Sequence, residues 1–217
     1  MEIKLETTAP MEIEKRSFEI ITKELPHPID EAYAPIIKRV IHTTADFDYA
    51  DNLCFSENVI EKAHEAFRRG ATIVTDTTMV MAGINKRVLA KHGGKVCCFV
   101  ADKDVAENAV KKSTTRSVQA MIKASELDGP VIFAIGNAPT ALIQLYEMIS
   151  EGRIDPALVI GVPVGFVNVE QSKELIMRTQ VPYIVAKGRK GGSNVAAAVC
   201  NALLYMLERE NDGTDEV

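Results

Sequence analysis

The chain has 217 residues, 47% of them hydrophobic and 25% charged, which is enough for one large domain or two small ones with an ordinary globular composition. A net charge of -5 argues against general nucleic-acid binding, which needs a basic surface to neutralise phosphates. No run reaches the roughly 18 apolar residues of a membrane span, and the first residues lack the charged-then-apolar pattern of a secretory signal, so the expected location is the cytoplasm.

Residues 1–9 show little pattern and read as a flexible lead. Phe18, Ile21 and Leu25 then fall at i, i+3 and i+7, which predicts a short amphipathic helix over residues 10–25 carrying Arg16 and Ser17. Pro26-His27-Pro28 ends it. An apolar stripe from Ile29 to Ile41 predicts a second helix over residues 29–44, with Asp30 as its cap. Pro35 either kinks that helix or restarts it as a first-turn residue. Arg39 and His42 lie near its end. The polar run 46–52 reads as a loop, and Ser56 is placed to cap a third helix that Gly70 ends.

After Gly70 the rhythm becomes strand, loop, helix, repeated. Strands are predicted at 72–75, 95–100, 131–135, 158–161 and 183–186. The helices between them centre on 84–91, 103–127 with a break at Ser113-Thr114, 140–150 and 170–178, and a last one ends near Leu207. Continuously apolar strands alternating with helices indicate a parallel sheet covered on both faces. The expected architecture is therefore a three-layer α/β sandwich around a mostly parallel, five-stranded sheet, folded as one domain over residues 1–210. Glu208, Glu210, Asp212, Asp215 and Glu216 against Arg209 alone read as a solvated end, with residues 211–217 an acidic flexible tail.

Cys54, Cys97, Cys98 and Cys200 form no C-x-x-C pair. They read as buried, reduced thiols and not as a zinc site or a disulfide frame. No metal site is expected.

In an open parallel sheet, ligands bind beyond the carboxyl ends of the strands. Three loops there stand out. Gly136-Asn137-Ala138-Pro139-Thr140 opens a helix whose free N–H groups suit a carboxylate or phosphate, although a plain tight turn reads equally well. Gly188-Arg189-Lys190-Gly191-Gly192-Ser193 has the same placement with two cations added. Thr114-Thr115-Arg116-Ser117 reads either as a capped helix start or as a further carboxylate hold through the Arg116 fork. Neither the Walker order nor G-x-G-x-x-G is present, so ATP and NAD are not indicated. Of the four histidines, only His42 combines an apolar helix end with a neighbouring cation, Arg39. Residues i and i+3 share a helix side, so the pair reads either as proton mover and anion holder in one pocket, or as a buried histidine beside a surface arginine.

These residues bear a resemblance that covers residues 13–207. The chain resembles the precorrin-8X methylmutase family of cobalamin biosynthesis, which includes the cobalt-precorrin-8 methylmutases. The likeness rests on Arg16-Ser17-Phe18, Arg39-Val40-Ile41-His42, Asp76-Thr77-Thr78-Met79-Val80 and Thr115-Arg116-Ser117. It continues through residues 134–142, the run Gly161-Val162-Pro163-Val164-Gly165-Phe166-Val167, and Gly188-Arg189-Lys190-Gly191-Gly192-Ser193. The resemblance implies a flavodoxin-like sheet, a homodimer, and an isomerase that moves a methyl group from C11 to C12 of a corrinoid ring without a cofactor. The product is hydrogenobyrinate or, with cobalt inserted, cobyrinate. It maps the catalytic histidine onto His42 and substrate-binding residues onto Ser17 and Arg39, while loop placement together with family motif adds Arg116, Asn137 and Arg189. A rearrangement needs one positioned proton, a role that suits histidine. Two other readings stay open: a tetrapyrrole carrier without catalysis, and a nucleotide- or flavin-using enzyme on the same kind of sheet.

Overall fold

The structure, a computed structural model, describes residues 9–212. Residues 1–8 of the expected lead and 213–217 of the expected tail lie outside the described residues. The chain opens with α1 (Pro10–Glu24), α2 (Ala34–Thr44) and the single turn α3 (Tyr49–Asn52). Strand β1 (Leu53–Phe55) and helix α4 (Val59–Arg68) follow. Next come β2 (Thr72–Thr75), α5 (Thr78–Gly83), α6 (Lys86–Lys91), β3 (Lys95–Cys97), α7 (Lys103–Lys111) and α8 (Arg116–Ala124). The last elements are β4 (Val131–Ile135), α9 (Pro139–Ser150), β5 (Leu158–Gly161), α10 (Val169–Met177), β6 (Tyr183–Ala186) and α11 (Ser193–Asp212).

The sheet has the order β1-β6-β5-β4-β2-β3. Every pairing is parallel except β1 with β6, which runs antiparallel with Leu53 opposite Ala186. The sheet thus has six strands where five were expected. Three residues are too few to show a period, and β1 exists because a partner far along the chain supplies its hydrogen bonds. Ser56 extends that pairing instead of capping a helix: its N–H donates to Tyr183 O at 3.0 Å and its Oγ accepts from Tyr183 N at 2.9 Å.

The central strands are buried on both faces, and their side chains alternate between two cores. Ile73, Ile132, Ala134, Leu158, Ile160 and Ile184 join the core built with α1, α2, α4 and α11. Val74, Phe133, Ile135, Val159 and Val185 join the core built with α7, α8, α9 and α10. Helices on both faces of a mostly parallel sheet make the three-layer sandwich. Each fully buried Ile, Leu or Phe in these cores contributes roughly 1.5–3 kcal/mol.

Several boundaries differ from expectation for local reasons. The second helix begins at Ala34, five residues late, with Pro35 in its first turn. Asp30 caps a turn ahead of it, its Oδ1 accepting from Ala32 N at 2.9 Å. The helical stretch over 103–127, by contrast, breaks where expected, into α7 and α8 with Ser113 at φ 50 between them. Helix α11 runs past Leu207, and Glu208 and Glu210, expected to be solvated, grip other helices. Glu208 binds Lys91 and His92, while Glu210 meets Arg68 at 2.7 Å and the buried His64 Nδ1 at 2.8 Å. Only Cys200 is fully buried; Cys54, Cys97 and Cys98 are half-buried.

Candidate active site at the carboxyl edge

The chain leaves β2 for β3 on one side and returns to β4 on the other, so the connections diverge between β2 and β4. This is where an open α/β sheet usually receives its ligand. Here the crevice is filled from within. Asp76, one residue past β2 and 1% exposed, accepts the N–H groups of Gly136 at 3.0 Å, Asn137 at 2.8 Å and Ala138 at 2.6 Å. The anion cradle expected ahead of α9 therefore already holds a carboxylate of its own chain. Burial pushes the Asp76 carboxyl up from the usual range, and the three N–H donors oppose that shift.

Two glycines let the strand-end loops close on one another. A Cβ at Gly136 would stand 2.8 Å from Ser193 Cα, and one at Gly191 would stand 2.2 Å from Val162 O. The loops after β4, β5 and β6 thus pack backbone against backbone. Thr77 Oγ1 and Ser193 Oγ lie 3.1 Å apart and tie the loop after β2 to the start of α11.

Helix α2 buries Ile36, Ile37, Val40 and Ile41, so Arg39 and His42 face away from the core. Its last turn meets α11, where Asn194 Nδ2 donates to Thr43 O at 3.5 Å. Helix α1 lies alongside. The Phe18 ring sits 5.4 Å from the His42 ring and 5.4 Å from the Arg39 guanidinium carbon. Arg39 also lies 4.8 Å from the Tyr205 ring, a cation–π arrangement. Its Nη2 donates to Glu14 Oε1 at 2.6 Å. His42 is exposed. Ser17, next to Phe18 on α1, turns its hydroxyl back to Ile13 O at 2.8 Å.

The loop after β6 is held from below by a residue that sequence reasoning passed over. Lys173 of α10 is 1% exposed and donates to Gly188 O at 2.7 Å and Lys190 O at 2.8 Å. It thereby fixes the backbone on both sides of Arg189. Burial lowers its pKa to about 8. Its signal lay in the spacing: Val169, Ser172, Lys173 and Ile176 form the buried stripe of α10, so a lysine stands where an amphipathic helix puts apolar residues. The loop's own cations are also engaged. Arg189 Nε donates to Glu170 at 2.9 Å beside the Phe166 ring. Lys190 reaches Asp46 at 2.6 Å and Asp48 at 2.5 Å, contacts that raise its pKa and lower that of Asp46. Thr43, Asp46, Val164, Lys190 and Asn194 line an open depression of 340 Å³.

Arg39, His42 and Ser17 thus gather on the α1–α2 side. Arg116 begins α8, whose cap Thr115 lies 3.3 Å from Thr140 of α9, and it faces Glu107 and Val110 of α7 across a shallow depression. Asn137 is exposed on the loop after β4. Among the described residues, no hydrogen bond, ion pair or ring contact joins Arg116, Asn137 or Arg189 to His42.

The arrangement is a cation-bearing edge with the exposed His42 imidazole beside an aromatic-lined arginine. Comparison with known proteins gives it a family. Residues 12–206 match the family described as precorrin-8X methylmutase. The chain belongs to the precorrin-8X methylmutase family. It is 47% identical over 209 residues to the cobalt-precorrin-8 methylmutase of Priestia megaterium, covering 95% of this chain and 92% of that one. It is 46% identical over 208 residues to that of Salmonella typhimurium, covering 91% and 96%. The solved precorrin-8x methyl mutase of Thermus thermophilus superposes with a TM-score of 0.85 at 40% identity, covering 95% of this chain and all of that one. Membership makes the chain an isomerase of the methylmutase type, on the α/β fold that the solved relative shares. No helix among the described residues is long and apolar enough to cross a membrane.

Proposed function

We propose that the chain moves a methyl group from C11 to C12 of precorrin-8, with cobalt already in the ring, to give cobyrinate. The family match over residues 12–206 carries this reading, and the names of the relatives at 47% and 46% identity favour the cobalt form. The exposed His42 beside Arg39 supplies the chemistry. His42 donates a proton to the conjugated carbon periphery of the ring, the nitrogens being occupied by cobalt, and so draws electron density from the conjugated system. The methyl–C11 bond breaks as the methyl–C12 bond forms, and the proton returns to the imidazole. Imidazole acts as donor and acceptor near neutral pH.

The substrate's acetate and propionate rim meets cations: Arg39 first, with Arg116 and Arg189 at the strand-end loops, and Ser17 and Asn137 as hydrogen-bonding partners. A depression of 340 Å³ in one chain covers only part of such a macrocycle. Val164, Phe166 and Val167 after β5 and Met79 after β2 are large apolar side chains left exposed at the same edge, which supports a homodimer that completes the cover. The chain works in the cytoplasm as a single domain, and its reaction draws on no cofactor.

Two measurements test this. Incubation with cobalt-precorrin-8 and metal-free precorrin-8 in parallel, followed by absorbance, is expected to show a time-dependent spectral change that is faster with cobalt. His42→Ala is expected to keep the circular dichroism and the binding of the macrocycle and to lose turnover. Undiminished turnover by His42→Ala removes the proton-transfer role, and static spectra in every case leave a carrier.

A further inference from the structure

We infer that Glu14 is a built-in competitor for the substrate's carboxylates, holding the place on Arg39 that a ring carboxylate takes when the macrocycle binds. The inference rests on the assignment of Arg39 to the carboxylate rim, and it concerns a residue outside that assignment.

The two ends of the Glu14–Arg39 pair are held very differently. The guanidinium carbon lies 5.4 Å from the Phe18 ring and 4.8 Å from the Tyr205 ring, and the Arg39 side chain is 18% exposed. The Glu14 side chain is 55% exposed and stands in the first half of α1. Arg39 is therefore the fixed partner and Glu14 the movable one. The bond itself is a short, charge-assisted contact at 2.6 Å, the geometry a ligand carboxylate would reproduce. Glu14 can rotate into water and regain full hydration, whereas Arg39 is walled by rings and keeps a carboxylate partner only if a new one arrives. Binding at this point is then an exchange of one carboxylate for another. A pair of this exposure is worth about 0.2–1 kcal/mol, or roughly 1.4- to 5-fold in an equilibrium constant.

The same pattern recurs along the edge, where Glu170 occupies Arg189 and Asp46 with Asp48 occupy Lys190. Glu14 is the member of the set in which geometry separates a fixed cation from a free anion. Exchange also gives the reaction a way out. The product retains the same carboxylate rim, and a resident carboxylate that returns to Arg39 shortens the product's stay.

The test compares the unaltered chain with Glu14→Ala, alanine being a good helix former at an exposed position. Affinity is measured by absorbance titration for cobyrinate and for its peripheral methyl ester. Glu14→Ala is expected to bind the acid roughly 1.4- to 5-fold more tightly and the ester no more tightly than before, with turnover showing the change in KM rather than in kcat. Equal affinity of the two chains for the acid overturns the inference. So does an equal gain for acid and ester, which would mean that Glu14 merely blocks the entrance, and so does weaker binding, which would mean that it braces α1. If the unaltered chain binds neither ligand, the corrinoid reading fails along with the exchange, a result distinct from equal binding by the two chains.

Discussion

Asp76 accepts the Ala138 N–H at 2.6 Å across the point where the strand connections diverge. One carboxylate thereby closes the crevice that this class of sheet commonly offers to phosphates and joins the end of β2 to the start of α9. The loop that carries Asn137 takes its shape from that bond and from the two beside it.

Asp76→Asn tests this closure. An amide keeps one acceptor oxygen and brings an NH2 group toward N–H donors, so at least one buried N–H loses its partner. The expected loss is about 1–3 kcal/mol. Urea unfolding should show a lower midpoint with the slope unchanged, and a midpoint equal to that of the unaltered chain would mean that the three bonds add nothing to stability.

Lys173 supplies a pH-dependent prediction. Its pKa falls from the ordinary 10.5 to about 8 because burial disfavours the ammonium, a shift that Glu170 partly opposes. Between those two values the unfolded chain still holds a proton that the folded chain has released, so the group's contribution to stability rises with pH. Below about 8 both states are charged and the burial penalty is felt in full. Lys173→Met removes this dependence. The stability of the unaltered chain minus that of Lys173→Met should therefore move in favour of the lysine form, by up to about 1.4 kcal/mol per pH unit, as pH rises from 8 to 10.5. A difference that stays flat across the window would contradict the placement of the ammonium under the 188–190 backbone.

The thiols should divide three to one. Cys200 has no exposed surface, and burial pushes its thiol up to about 12. Cys54, Cys97 and Cys98 are half-buried. Iodoacetamide at pH 8 should alkylate the last three in the folded protein and reach Cys200 only after denaturation, because the thiolate is the reacting form. Mass spectrometry of the labelled peptides reads the pattern directly, and native labelling of Cys200 at the rate of Cys98 would rule it out.

Much of this was legible before any coordinates. The buried parallel strands announce themselves as short apolar runs such as Val131–Ile135, and their alternation with helices settles the layered class. The same local pattern marks Pro35 as either a kink or a helix's first turn and breaks the helix at Ser113-Thr114. Arg39 and His42 stand out because a helix's repeat is encoded within a few neighbours.

What needed the tertiary structure is whatever joins distant parts of the chain. β1 has three residues and no period of its own, and it is a strand only because β6 lies beside it. Asp76, one polar residue among several at a strand end, becomes the acceptor for the loop ahead of α9 only when two strand ends meet. Lys173 breaks the apolar stripe of α10 for a reason visible only once the Gly188–Lys190 backbone passes over it. The cations at the edge follow the same rule. Their presence is written in the sequence, but their occupation by Glu14, Glu170, Asp46 and Asp48 is not, because an ion pair depends on distance in space and the spacing along the chain leaves that distance open.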